Sequence, residues 1–544
     1  MGLAPPRFVV PALLAAVVLA CTVLPPARWT LAVLGPALAV ALFDFFQTRH
    51  ALRRNYPLVA RIRWLFEDLR PFLRSYIVES DSEGRPFSID QRSLVYARAK
   101  GQLDKVPFGT LLDVYEPAYE WLSHSIAAAI PATEPFRVEI GGPDCTRPYS
   151  ASILNISAMS FGALSANAIR SLNRGAMMGG FAHDTGEGGL SVHHQQHGGD
   201  LIWEIGSGYF GCRDEQGRFS PERFAATATL DQVKMIEVKL SQGAKPGHGG
   251  VLPASKVSAE IAATRGVPMG VDCISPPQHA AFSTPIALLR FIAELRQLSG
   301  GKPTGFKLCV GQPWEFLGIC KAMLETGITP DFIVVDGTEG GTGAAPLEFI
   351  DHIGMPLRDG LSFVHNALVG VGLRERVRIG AAGKITSAFD MVRVMTLGAD
   401  WCNAARGFMF ALGCIQSQSC HTDKCPTGVA TQDPQRQRAL VVEDKAERVR
   451  RFHHSTLQAL AEVIAAAGLS HPSQLQLSHL WRRVSAERVE NFAQIYRPLE
   501  PGSLLAGTDD PRYAHAWALA QADSFRPGEP ARKIVRFNPV PQTA

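Results

Sequence analysis

Asp331-Phe-Ile-Val-Val-Asp336-Gly-Thr-Glu-Gly-Gly-Thr-Gly-Ala344 joins a short β-branched run to a glycine-rich loop. The run has the length and composition of a buried strand, and the glycines let the backbone that follows approach a neighbour or a ligand closely. Comparable runs are Ser152-Ile-Leu-Asn-Ile-Ser157, Thr304-Gly-Phe-Lys-Leu-Cys309 and Arg376-Val-Arg-Ile-Gly380. Helical patterns lie between them, for example over residues 285–298 and 387–397. Strands that alternate with helices across residues 135–435 predict parallel βα units. A segment of roughly 300 residues suits an α/β fold of the (β/α)8 TIM-barrel type with insertions. An open, doubly wound sheet is the alternative. The polar and glycine-rich loops after several strands favour the barrel, whose C-terminal face such loops build.

Composition allows a domain of this size. The chain has 544 residues, 46% apolar and 19% charged, which supports a large core and argues against long disorder. A net charge of +4 is small for the length and gives no ground for a nucleic-acid partner. The 10 cysteines are too scattered for a disulfide framework.

Residues 1–48 stand apart. Two apolar runs, 8–24 and 29–46, are separated by Pro25, Pro26 and Arg28, and Asp44 lies near the end of the second. Each is at the short end of what spans a bilayer. Arg7 precedes the first, and Arg49, Arg53 and Arg54 follow the second. These flanks predict a transmembrane hairpin in the inner membrane, with both ends and the catalytic domain in the cytoplasm. A cleaved export signal ending near Val18-Leu-Ala-Cys21 and a buried helical pair are the competing readings. Residues 49–134 are expected to be a mostly helical lead-in, including an amphipathic helix over 61–70 beside the membrane or the barrel. Residues 436–544 read as a helical extension followed by an irregular, basic, proline-containing tail.

The sharpest chemical signal is Cys414-Ile-Gln-Ser-Gln-Ser-Cys420-His-Thr-Asp-Lys-Cys425-Pro426. Thiolates are the ligands of iron–sulfur clusters, and close spacing lets one loop wrap a cluster. Three cysteines match a three-iron cluster, with one thiolate per iron. A zinc site using His421 and three unrelated cysteines are the alternatives.

Glycine-rich loops form the second signal. Besides the loop at 336–344, Ala381-Ala-Gly-Lys-Ile385 and Asn403-Ala-Ala-Arg406 follow strand-like segments. Late loops of a barrel commonly bind phosphate through backbone N–H groups, although tight turns also need glycine. The chain has no GxxxxGK[ST] loop and no convincing Rossmann GxGxxG with a downstream acid, so no built-in nicotinamide domain is expected. A third group comprises Ser157-Ala-Met-Ser-Phe-Gly-Ala163, Thr185-Gly-Glu-Gly-Gly189 and Lys239-Leu-Ser-Gln-Gly-Ala-Lys-Pro-Gly-His-Gly-Gly250. Lys245 among glycines suits an anionic substrate. Lys307, alone in an apolar strand, needs a partner: the N1/O2 edge of a reduced flavin, or solvent at the strand end. His193, His194 and His197 read as a polar loop in preference to a metal site.

Together these segments resemble the FMN-binding synthase domain of glutamate synthase over residues 152–432. The shared motifs are Ser-Ala-Met-Ser-Phe-Gly, Thr-Gly-Glu-Gly-Gly, Gln-Gly-Ala-Lys-Pro-Gly, Ile274-Ser-Pro-Pro277, Gly-Gly-Thr-Gly-Ala and Gly413-Cys…Cys-His…Cys-Pro-Thr-Gly-Val-Ala-Thr-Gln432, in the same order. The resemblance implies an FMN-binding barrel with a 3Fe-4S cluster on Cys414, Cys420 and Cys425. It puts Met159, Ser160, Gln242 and Lys307 around the isoalloxazine ring. It puts Gly341, Thr342, Gly343, Gly383, Ala405 and Arg406 around the phosphate, and turns Glu187, Lys245 and Arg265 toward a 2-oxo acid. The implied reaction is reductive amination of that acid, 2-oxoglutarate to L-glutamate, by reduced FMN fed through the cluster.

Two departures bear on substrate and partners. The family's Lys-Pro-Gly-Glu-Gly-Gly-Gln loop here reads Lys245-Pro-Gly-His248-Gly-Gly-Val251, and Val251 cannot make the hydrogen bond of that glutamine. Gly2 follows Met1 where the family carries a catalytic cysteine and an amidotransferase domain, and no counterpart of its C-terminal β-helix is seen. Ammonia is therefore expected from solution, from a separate glutaminase subunit, or as another amine donor. Electrons are expected from a ferredoxin-like or membrane-bound donor. The alternatives are a flavin oxidoreductase acting on another amino or oxo acid, such as an N-substituted glutamate, and a non-catalytic membrane redox protein.

Overall fold

A computed structural model describes residues 6–529. Gly2 and the last part of the basic tail lie outside the described residues. The chain divides into two compact units, Met1–Ile89 and Asp90–Ala544.

In the first unit, helices Pro6–Val23 and Leu31–Phe46 pack on each other, with Phe8 and Phe45 edge to face at 5.3 Å. The segment Arg28–Phe46 is long and apolar enough to cross a membrane, whereas Arg7–Val23 is shorter than that length. A helix follows at Arg61–Leu73, and Arg61 grips the buried Asp44 carboxylate through Nε and Nη2, each at 2.8 Å. Ile62, Leu65, Phe66, Leu69 and Phe72 form an exposed apolar stripe along it at helical spacing.

The second unit is built on eight parallel strands: β1 (Leu154–Ile156), β2 (His183–Asp184), β3 (Leu201–Ile205), β4 (Val233–Lys239), β5 (Thr304–Leu308), β6 (Phe332–Asp336), β7 (Arg378–Ala382) and β8 (Trp401–Ala404). They close in sequence order, with β8 pairing β1 through Cys402 and Leu154, so the expected barrel forms and the open sheet does not. β3 and β5 are buried along their whole length, as strands covered on one face by helices and on the other by the barrel interior must be. Between them run helices such as Ala166–Gly179, Pro285–Leu298, Pro313–Thr326 and Ala388–Thr396. Thr284 caps the second of these by accepting from the Ala287 N–H, with Pro285 at its first turn. The longest insertion, between β4 and β5, carries the antiparallel pair Val251–Leu252 and Cys273–Ile274 and the helix Ala259–Arg265.

Residues beyond the barrel wrap it. Helix Val442–Ala466 lies against Ala166–Gly179, and its His453 stacks on Phe181 at 3.9 Å. After helix Ile89–Lys100 the chain to residue 134 is irregular, not helical, apart from the strand Glu120–Leu122. Gly101, Pro107, Gly109 and Pro117 interrupt any helical run there. That strand pairs with Leu480–Arg483, which pairs in turn with Val489–Asn491. The pairing brings the buried Glu120 carboxylate onto Arg358 (2.5 Å), Arg393 (2.5 Å) and Arg482 (2.8 Å). Burial raises the Glu120 carboxyl, but the three guanidinium groups outweigh it and hold it below the usual range. Its contribution to stability is therefore present above the ordinary glutamate pKa and lost as pH falls through the depressed value. Glu120→Ala leaves three arginines converging on no anion and is expected to destabilise the fold by about 3–5 kcal/mol. Chemical denaturation of the wild type and the variant, at neutral pH and through an acid series that runs below the depressed Glu120 value, measures both the size of the loss and its disappearance in acid.

Candidate functional site

The loops leaving the C-terminal ends of the strands surround an open cleft. Its wall holds Met159 and Ser160 after β1, Glu187 after β2, Gln242 and Lys245 after β4, Arg265 from the insertion, Gly341, Thr342 and Gly343 after β6, and Ala405 and Arg406 after β8. Cys420 and His421 reach the same wall from the cysteine loop. Among the candidate residues, Lys307, Gly383, Cys414 and Cys425 do not line it. Gly383 directly follows β7 with φ at 154° and packs against Leu357.

Charge in the cleft is predominantly positive. Lys239, at the end of β4, holds the Glu187 carboxylate at 3.0 Å. Burial raises the Glu187 carboxyl, but Lys239, Arg265 and Lys245 together bring it below the ordinary range, so Glu187 is an anion within a cationic wall. Burial pushes the Lys245 ammonium down from the usual lysine value, with Glu187 opposing. Arg265 donates through Nη2 to Ser160 Oγ (3.3 Å) and Phe161 O (3.2 Å), which ties the insertion to the loop after β1. Its Nε is buried without a hydrogen-bond partner. Val251, Leu252 and Pro253 add an apolar edge to the same wall.

Two glycines are required by close approach. A Cβ at Gly243 would fall 1.6 Å from Gly337 O, and this contact, with the bond from Gly243 N–H to Asp336 Oδ2 (2.8 Å), docks the β4 loop on the end of β6. A Cβ at Gly341 would fall 1.9 Å from Arg406 Nη1. Arg406 thus lies over the glycine loop and donates to Thr342 O at 3.2 Å, leaving a guanidinium beside bare backbone, an arrangement suited to a phosphate.

The cysteine loop leaves helix Arg406–Leu412 at Gly413. Positive φ at Gln416, Gln418 and Asp423 curls it back. Gln432 closes the curl, its N–H donating to Asp423 Oδ1 (2.7 Å) and its side-chain amide to Gly162 O and Leu164 O (3.0 and 2.9 Å). The loop is thereby pinned to the β1 loop that borders the cleft. Lys256, a buried cation lining the cleft, donates to Ala430 O (3.1 Å) in this loop and to Ala163 O (3.4 Å) across from it. Burial and the neighbouring cysteines push Cys414 up to about 11 and raise Cys420. At Cys425 burial also raises the thiol, but the Thr427 hydroxyl and the backbone N–H groups of Ala430, Thr427 and Val429 bring it below the usual value. Three thiols that interact electrostatically, one of them already biased toward thiolate, are a donor set that fits an iron–sulfur cluster.

Two of the histidines after β2, His193 and His194, are buried and hydrogen-bonded away from the cleft. Arg170 Nε donates to His193 Nδ1 at 3.0 Å, His193 Nε2 lies 2.6 Å from Glu260, and His194 Nδ1 faces Ser191 Oγ at 2.8 Å.

Below the cleft, Lys307 lies inside the barrel, paired with Glu204 of β3 and, at 3.2 Å, with Glu237 of β4. Lys239, Lys256, Glu204 and Ser275 line the cleft and were not among the candidates. The legible signal for Glu204 and Glu237 is an acid flanked on both sides by apolar residues within a strand-like run, Leu201-Ile-Trp-Glu-Ile205 and Met235-Ile-Glu-Val238. Such a residue has to face a partner.

A closed parallel barrel with a cationic cleft at its C-terminal mouth has the architecture of a barrel enzyme. Residues 146–470 match the family described as the conserved region in glutamate synthase. The chain is 37% identical over 478 residues to the glutamate synthase large subunit-like protein YerD of Bacillus subtilis, covering 80% of this chain and 90% of that protein. It is 34% identical over 323 residues to the archaeal-type glutamate synthase (NADPH) of Thermotoga neapolitana and 35% identical over 324 residues to the archaeal glutamate synthase (NADPH) of Methanocaldococcus jannaschii. These matches take in 58% and 59% of this chain but only 59% and 60% of those proteins. Among solved structures, a putative lactate oxidase of Pediococcus acidilactici aligns over 78% of this chain and 93% of its own at 12% identity, with a TM-score of 0.41, too distant to inform fold or function. The chain belongs to the glutamate synthase family and is an oxidoreductase of that family.

Proposed function

We propose that this chain catalyses reductive amination of a 2-oxo acid, 2-oxoglutarate to L-glutamate, with FMN in the cleft and a 3Fe-4S cluster on Cys414, Cys420 and Cys425. The observation that carries this reading is the juxtaposition, in one cleft, of a glycine-and-arginine cradle, a cationic wall and the edge of the cysteine loop. Bound FMN would supply hydride chemistry, and the cluster one-electron transfer. Gly341, Thr342, Gly343, Ala405 and Arg406 would hold the phosphate, and Met159, Ser160 and Gln242 the ring, with Lys307 and Gly383 set back from the cleft. Lys245 and Arg265 would bind the carboxylates of the substrate and fix its orientation, with Glu187 keeping that cationic wall in register. Ammonia would come from solution or from a separate glutaminase subunit, and electrons from a ferredoxin-like or membrane-bound donor. The apolar N-terminal helices would anchor the chain to the inner membrane with the barrel in the cytoplasm.

A second reading, turnover of an N-substituted glutamate, is favoured by the apolar edge of Val251, Leu252 and Pro253, where a larger substituent on nitrogen would be accommodated. The test is anaerobic reoxidation of the dithionite-reduced protein, assayed beside its iron, sulfide and FMN content. Reoxidation on adding 2-oxoglutarate and ammonia, with glutamate formed, is the expected result. Reoxidation only with an N-substituted partner selects the second reading, and no reoxidation with any 2-oxo acid overturns both.

A further inference from the structure

Beneath the cleft, the barrel interior holds an unusual concentration of buried charge. Asp184, Glu204 and Glu237 come from adjacent strands β2, β3 and β4, and a carboxylate oxygen from each lies within 4.8 Å of the others. The groups facing them are Lys307 from β5, paired with Glu204 and Glu237, and Asp336 from β6, with Lys239 acting on Asp336 from the end of β4. Both carboxylate oxygens of Glu237 are buried without a hydrogen-bond partner, although Lys307 Nζ stands 3.2 Å from one of them. Asp184 receives the Gly186 N–H at 2.9 Å. Among the three acids, Glu204 alone reaches the cleft wall.

One ammonium cannot balance three carboxylates in a buried site, because desolvation and mutual repulsion both favour the neutral acid. Burial together with the neighbouring carboxylates pushes Glu237 up to about 7 and Asp184 well above the carboxylate range. Lys307 is held firmly protonated by the acids around it, against its burial.

We propose that Asp184, Glu204 and Glu237 share a stored proton beneath the cleft, and that Glu204 passes it to the nitrogen of the substrate reduced there. The inference rests on the reductive amination proposed above. Addition of a hydride to the carbon of a protonated C=N bond delivers two electrons and one proton and leaves an amine nitrogen with a free lone pair. That nitrogen takes one further proton: an O–H bond breaks at Glu204, an N–H bond forms on the product, and the Glu204 carboxylate is reprotonated from Glu237 or Asp184, then from water. Lys307 is a positioning residue here, holding Glu204 and Glu237 together.

Infrared spectroscopy on the full chain reads the store without any turnover. The wild type at pH 7 is expected to show the C=O stretch of a buried neutral carboxylic acid, shifted in D2O and altered in both Glu204→Gln and Glu237→Gln. In single turnover, Glu204→Gln is expected to lower the rate by about 10²-fold or more with flavin content and KM for the 2-oxo acid retained, and Glu204→Asp to recover part of it. Absence of the band at pH 7, or a Glu204→Gln variant with the wild-type rate and pH profile, overturns the proposal. A wild type that shows the band but reduces no 2-oxo acid marks failure of the proposed reaction instead, and it removes the relay while leaving the shared proton.

Discussion

Lys245→Met is expected to lower kcat/KM for 2-oxoglutarate about 10³-fold, the scale on which loss of one preorganised charge in a water-poor site is felt. The residue sits in a loop held rigidly by the Gly243–Gly337 contact and by the bond from Gly243 to Asp336, so its ammonium is presented at a set position and is not left to find the substrate. It is buried, and burial lowers its pKa. In the wild type, binding of the doubly charged acid is therefore expected to weaken as pH rises through a value below the usual lysine range, while the charge is fully present at lower pH. The methionine variant lacks this alkaline limb. Steady-state kinetics from pH 6 to about pH 10 compare the two. Retention of wild-type kcat/KM by the variant would remove Lys245 from the substrate site.

The second large effect is expected at Cys425. Its thiol is the one that local hydrogen bonds favour as thiolate, and the loop around it is cross-linked through Thr431, Gln432 and Asp423. Cys425→Ser is expected to abolish iron and sulfide binding and to reduce turnover with a one-electron donor by more than about 100-fold. The FMN content should persist, because the packing of Arg406 on Gly341, proposed above to hold the phosphate, does not depend on this sulfur. Direct reduction with dithionite should then restore single-turnover reduction of the 2-oxo acid. A variant that keeps its iron would show that the cysteine loop does not hold the cluster through Cys425.

Much of the scaffold was legible from local pattern. The run at 304–309 became β5, and the helical pattern at 285–298 became helix Pro285–Leu298. The run read at 376–380 formed two residues later, as Arg378–Ala382, because Arg374–Arg376 makes a tight turn first. Strand β2, only His183–Asp184, offers too short a run to be recognised by periodicity. The Glu120 node escaped notice because its partners are 238 to 362 residues away in sequence.

By itself, the sequence determined the class of fold, the loops that build the mouth of the barrel and the three cysteines that share one loop beside it. Each of these is written in short-range spacing: β-branched runs, glycines where the chain must turn tightly, thiols near one another on a single loop. Only the tertiary structure decided which side chains meet. Lys307 looked like a lone lysine in an apolar strand until closure of the barrel set it beside Glu204 and Glu237. Lys239 opens a segment that its glycines mark, but its contact with Glu187 came only with the fold, as did the place of Lys256, from the insertion, on the cleft wall. The physical reason is that contacts inside a barrel depend on the register between strands, a property of the closed sheet and of no strand alone.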